Sequence, residues 1–238
     1  MKRKIWDINE FNKINLPEIV GFVDPKSIPF NKTRILDMPI YMPDQGWSIP
    51  SKIVPFLDII LQSISFEKKY GYFDHYVYIT IDQKQVLKGN TGRRAGAHSD
   101  AYLEHTNQQY DITTENVNII KDCGVETSHT YIWASSIPTE FFNVPFPLET
   151  DSDEESLKTF DEIANSSNPI TFPVGTILKL DPYVVHRCGI AKATHNRTFV
   201  KISISKKKYA RIGNTINSEF SYSWVMTARS PEKRNSPW

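Results

Sequence analysis

The chain is poor in cysteine. Two, Cys123 and Cys188, stand among 238 residues, which excludes a disulfide framework and suits a reducing compartment. Long apolar runs are missing as well. No segment approaches the roughly 18 consecutive apolar residues of a membrane span, and the basic start "MKRKIWDINEFNK" lacks the apolar stretch of a secretory signal. Together these point to a cytoplasmic protein without a membrane partner. Net charge is nearly absent: 28 Lys and Arg against 27 Asp and Glu leave a formal +1, so no global field favours nucleic acid or a membrane surface. No internal repeat is found. What is present is 39% hydrophobic and 12% aromatic residues, the composition of a packed globular chain. The length suits one large domain or two small ones.

Residues 1–50 are dense in proline and aromatics ("LPEIVGFVDPKSIPF", "DMPIYMPDQGWSIP"), which predicts short strands and turns packed on a core. In "SKIVPFLDIILQSISFEKKYG" the apolar residues at 53, 56, 57, 60, 61 and 64 follow helical spacing. One amphipathic helix is expected over about 52–69, capped by Ser51 and stopped at Gly71. β patterns then dominate. "HYVYITIDQ" alternates Tyr76, Tyr78 and Thr80 against Val77, Ile79 and Ile81, and "SHTYIWASS", "PITFP", "GTILKLDP" and "NRTFVKISIS" are further strands rich in β-branched and aromatic residues.

Two polar inserts interrupt them. Residues 104–124 have no clear assignment. Residues 149–168 carry seven acids against one lysine, Lys158, and read as a solvated loop with room for a short helix, a lid over a pocket being the alternative. From Lys179 onward twelve Lys or Arg oppose three acids. This basic run reads as a solvated edge, with a polyanion-binding surface as the sharper alternative.

The chemistry concentrates in "GRRAGAHSDAYL". In an extended backbone His98 and Asp100, two apart, point the same way and could share one metal ion. Among six histidines the best third ligand is His186, in "GTILKLDPYVVHRCG", where an apolar strand-like run ends at a glycine turn. Two histidines and one carboxylate with open positions form the facial triad suited to non-haem Fe(II). The residual positive charge favours an anionic chelating cosubstrate. Further on, alternation in "NRTFVKISIS" puts Arg197, Phe199, Lys201 and Ser203 on one face and Thr198, Val200, Ile202 and Ile204 on the other. The aliphatic face packs, so Arg197 opens into the opposite space, where a guanidinium can clamp a carboxylate through two parallel hydrogen bonds. Of the other histidines, His129 reads as a buried, hydrogen-bonded strand residue, His195 as part of a polar turn and His105 as exposed. Cys188 reads as a small core residue. Arg93 and Arg94 are candidates to face an acidic substrate. The segment 135–148 reads mostly as core and turn, with some residues available to line a substrate pocket.

His98-x-Asp100, then His186, then Arg197 resembles the Fe(II)/2-oxoglutarate-dependent dioxygenases over roughly residues 72–206. The resemblance implies a mainly β (α+β) double-stranded β-helix, or jelly-roll, core with an N-terminal helix and surface inserts. The single oxygenase domain so expected spans 1–238, with the core over about 72–206, an N-terminal support over 1–71 and a C-terminal extension over 207–238; the resemblance implies His98, Asp100 and His186 as its iron ligands and catalytic centre, and Arg197 as the clamp for the C5 carboxylate of 2-oxoglutarate. A tyrosine of an early strand often helps with that carboxylate; Tyr78 is the candidate and Tyr76 the fallback. It further implies Fe(II), 2-oxoglutarate and O2 as cofactor and cosubstrates, and usually hydroxylation of a C–H bond. The sequence departs from the pattern twice. The interval between Asp100 and His186 is long, and Phe199 stands where many members carry Ser or Thr. The retained Asp100 argues against the halogenating branch. A small-molecule substrate is the first expectation, with a protein side chain or a nucleobase as alternatives. A cupin-type metalloenzyme would need the triad without Arg197, and a non-catalytic jelly-roll module would need neither.

Overall fold

A computed structural model describes residues 7–70, 74–100, 129–150, 152–206, 208–226 and 228. The insert at 104–124, His105, Cys123 and Gly71 lie outside the described residues. The fold is mainly β, with two antiparallel sheets and, among the described residues, two α-helices. The strands are β1 (Glu18–Phe22), β2 (Arg34–Met42), β3 (Gly46–Trp47), β4 (Tyr76–Val86), β5 (His129–Ala134), β6 (Thr139–Phe142), β7 (Pro169–Thr171), β8 (Thr176–Leu180), β9 (His186–Cys188) and β10 (His195–Ser205). The larger sheet runs β1-β8-β5-β10-β4-β2-β3 and the smaller β7-β6-β9. Strands distant in sequence lie side by side and antiparallel, as in a jelly-roll sandwich. Residues 18–47 supply three strands of the larger sheet.

Alternation along β4 and β10 decides what each face of that sheet does. Val77, Ile79 and Ile81 of β4 join Val200, Ile202 and Ile204 of β10 in the main core, under Ile53, Phe56, Ile59 and Ile60 of the helical segment. The opposite face carries Phe199, Ile132, Leu178 and Leu180, which pack against Phe141 of the smaller sheet. One face of the central strands is therefore apolar and closed by a helix, while the other looks into the space between the sheets.

The segment expected as one helix is three pieces: a 3-10 turn Ser51–Phe56, helix α1 (Leu57–Glu67) and a second 3-10 turn Lys68–Tyr70. Pro55 has no N–H to donate and its ring crowds the preceding turn, so the α-helix starts only after it. Ser51 is not the cap; Pro50 holds that position without a side-chain hydrogen bond. Leu61 faces solvent.

The larger correction concerns 149–168. Instead of a solvated loop, Asp153–Ser166 form a fourteen-residue helix, α2. Glu154, Glu155 and Glu162 face outward, while Ser156, Phe160 and Ala164, spaced four apart, are fully buried, with Leu157 and Ile163 beside them. No helix among the described residues is long and apolar enough to cross a membrane.

Candidate metal centre

Two chain segments meet through a single antiparallel bridge. The His98 N–H donates to the His186 carbonyl at 3.0 Å and the His186 N–H to the His98 carbonyl at 2.9 Å. Such a reciprocal pair sets the two side chains on the same side of the ladder, and the imidazole centroids stand 4.5 Å apart. The residues before each histidine point the other way. Ala97 and Val185 are both buried in the cluster built by Phe11, Phe142, Phe146 and Phe160. Alternation thus uses one apolar anchor per segment to aim one imidazole into the site.

The helix α2 fixes the first segment directly. Asp161 Oδ1 accepts from the Ala97 N–H at 2.6 Å, and Gly96 takes φ +98°, where a Cβ would meet the Asp161 carboxylate at 3.2 Å. Glycine adopts this left-handed backbone without a steric penalty. Asp161→Ala is expected to weaken metal binding about tenfold or more without removing a ligand. Calorimetric titration with Mn(II) measures it, and an unchanged affinity would show that the loop keeps its shape without this anchor.

Possible ligand atoms of His98, Asp100 and His186 all lie within 4.8 Å of one another. His186 is buried; His98 and Asp100 are half-buried. The donor set fits a single metal ion on three counts. The Nδ1–H of His98 donates to the Gly96 carbonyl at 3.3 Å and that of His186 to the Val184 carbonyl at 3.0 Å, in the tautomers that leave each Nε2 lone pair free. Burial, and then the adjacent His186, push the His98 imidazole down to about 3, so it is neutral at physiological pH. Burial works to raise the Asp100 carboxyl, but the Lys201 ammonium, the two imidazoles and a hydrogen bond from Thr130 pull it down to about 2. Its Oδ2 is buried and, among the described residues, without a partner.

The other expected site residues divide. Arg197 is 1% exposed, on the face of β10 that looks between the sheets, and its Nε donates to the Ser136 carbonyl at 3.1 Å. Burial, chiefly, and then the nearby Arg93 charge lower its pKa, against the opposing pull of Cys188 and Asp82. Arg93 is half-buried, with its guanidinium over the Phe199 ring; Arg94 is exposed. Tyr78 does not join Arg197. The β4–β10 register pairs Tyr78 with Ser203 and Arg197 with Lys84, a separation of about 20 Å along the strand. The Tyr78 hydroxyl instead accepts from the Tyr209 N–H at 3.1 Å and its ring stacks on Tyr209 at 4.2 Å. Tyr76, opposite Ser205, is farther still. Extended strands cannot fold these tyrosines back onto Arg197.

His129 lies on the opposite face of β5 from Thr130. It is buried, and its Nδ1 is 2.9 and 3.0 Å from the two oxygens of Glu67, which also accepts from the Tyr131 hydroxyl. His195 is exposed at the start of β10. His75 is buried, with Nδ1 2.7 Å from Asp74. Cys188 is half-buried in β9 and outside the ligand cluster. Phe141 packs 6.1 Å from the His186 ring, so part of the 135–148 segment floors the site.

Fold and geometry together define a mainly β, two-sheet protein with a candidate His–Asp–His metal centre between the sheets. No family model matches the chain, and no curated protein is similar to it in sequence. Among solved structures, the crystal structure of EvdMO1 is similar with a TM-score of 0.36 and 10% identity, over 83% of this chain and 48% of that one. The chain spans about half the length of that structure.

Proposed function

We propose that the chain is a single-domain, cytoplasmic Fe(II)- and 2-oxoglutarate-dependent dioxygenase that hydroxylates a small molecule. The observation that carries this reading is the meeting of His98, Asp100 and His186 within 4.8 Å beneath a sheet face that also buries Arg197. Two imidazole nitrogen donors and one carboxylate suit non-haem Fe(II) and leave coordination positions open. Bound Fe(II) would supply the oxygen chemistry, with 2-oxoglutarate and O2 consumed and succinate and CO2 released. The residues of this chain do the holding. The carbonyls of Gly96 and Val184 keep the Nδ1 protons in place, so each ring offers Nε2. Thr130 orients the Asp100 carboxylate. The Arg197 guanidinium holds the far carboxylate of the cosubstrate, and Ile132, Phe141 and Phe199 keep bulk water from the space between.

Anaerobic titration with Fe(II) and then 2-oxoglutarate tests this. The expected result is the weak visible charge-transfer band of a chelated keto acid. Metal binding without 2-oxoglutarate binding would favour a cupin-type metalloenzyme, and no metal binding at all a non-catalytic jelly-roll module.

A further inference from the structure

Arg93 belongs to a loop tied to the chain that leads from His186 to Arg197. Gly89 N–H donates to the Ala191 carbonyl at 2.8 Å, Ala191 N–H to the Asn90 carbonyl at 2.9 Å, and Thr91 bridges Ile190. The Thr91 hydroxyl donates to the Arg93 carbonyl at 2.6 Å. The loop is held where Gly92 lies against the Arg197 side chain; a Cβ there would stand 2.8 Å from its Cδ and 2.9 Å from its Nη1.

This close approach brings two like charges to one ring. The Cζ atoms of Arg93 and Arg197 lie 4.8 and 5.0 Å from the Phe199 centroid. The aromatic face partly offsets the burial of both guanidiniums, but it offers no hydrogen-bond acceptor in their plane. Arg93 Nη1, Arg197 Nη2 and the Ser136 hydroxyl are buried and, among the described residues, without a partner. Arg197 Nε already donates to the Ser136 carbonyl, which puts the backbone of that residue beside the guanidinium. Asp82, also buried, is ion-paired to Lys84 at 3.0 Å and lies 4.0 Å from Arg34. Its pull on Arg197 is real, but burial and Arg93 oppose it. Unmet buried donors and neighbouring cations are costly together, and one anion answers both.

We propose that Arg93 and Arg197, with the Ser136 hydroxyl, form a single two-guanidinium site for one carboxylate group, the far carboxylate of the keto-acid cosubstrate. The identity of that ligand rests on the function proposed above; the anion site rests on the geometry alone. Arg93 is then a clamp residue instead of a contact for an acidic substrate. Phe199, which departs from the small hydroxyl residue of the resembling family, is the platform that lets two guanidiniums share the ligand, and Ser136 supplies the hydroxyl from another strand end.

Calorimetry on the Mn(II)-loaded protein, with 2-oxoglutarate, succinate and inorganic phosphate as probes, tests this alongside thermal unfolding. Arg93→Gln and Gly92→Ala are each expected to weaken 2-oxoglutarate binding about tenfold or more, with Mn(II) affinity unchanged. The Tm of anion-free Arg93→Gln is expected to hold or rise, because one of two neighbouring like charges is gone. A lowered Tm with unchanged 2-oxoglutarate affinity would make Arg93 a structural residue and overturn the proposal. So would equal affinity in wild type and both variants, which leaves the keto-acid function standing. Wild type that binds succinate or phosphate through Arg93 but not 2-oxoglutarate supports the anion site and removes the keto-acid function. Wild type that binds none of the three probes overturns the site.

Discussion

If the proposed function holds, His98→Ala is expected to abolish Fe(II) binding and turnover while the fold survives. A three-ligand centre that loses one imidazole keeps one nitrogen and one carboxylate, too few to hold a labile divalent ion against water. The fold survives because what His98 gives the structure comes from its backbone. The two hydrogen bonds of the His98–His186 bridge run through main-chain atoms, and the apolar anchor is its neighbour Ala97. Iron content after anaerobic loading, read beside the far-ultraviolet circular dichroism spectrum, measures the effect. Stoichiometric iron and normal turnover in a folded variant would rule out His98 as a ligand.

On the same proposal, Arg197→Ala is expected to raise the 2-oxoglutarate concentration needed for half-saturation by about 30- to 150-fold, the equivalent of a charge-assisted pair of ~2–3 kcal/mol. The buried position makes the effect large, because water cannot enter freely to replace the guanidinium. Arg93, over the same ring, sets the floor, because a single guanidinium still attracts the anion. Steady-state kinetics at varied 2-oxoglutarate, with Fe(II) affinity as the control, provide the check. An unchanged requirement would mean that another residue holds the carboxylate.

The strands that form the site were legible because a period of two is visible in any buried strand. In β4 and β10 the aliphatic residues recur at every second position, so the faces of Tyr78, Arg197 and Lys201 follow from the sequence alone. The histidine spacing was legible for a similar reason, since His98 and Asp100 are close in the chain whatever the fold. Three things were not. Seven acids hid the apolar stripe of α2, although Leu157, Phe160, Ile163 and Ala164 stand at helical spacing. Tyr78 was assigned to the clamp because its face was known and its register was not; only the pairing with Ser203 shows that it is too far along the strand. The nearness of Arg93 to Arg197 joins residues more than a hundred positions apart, and depends on which backbone passes beside a guanidinium.

The sequence by itself determined the secondary structure of the central strands, the facing of their side chains and the chemical type of the candidate ligands. These depend on local backbone geometry and on residue chemistry, both written in short windows. The tertiary structure decided which ligands meet, that an acidic helix braces one of them, and that two arginines share a ring. Those follow from strand order and register, which are set by long-range packing between segments that no local pattern relates.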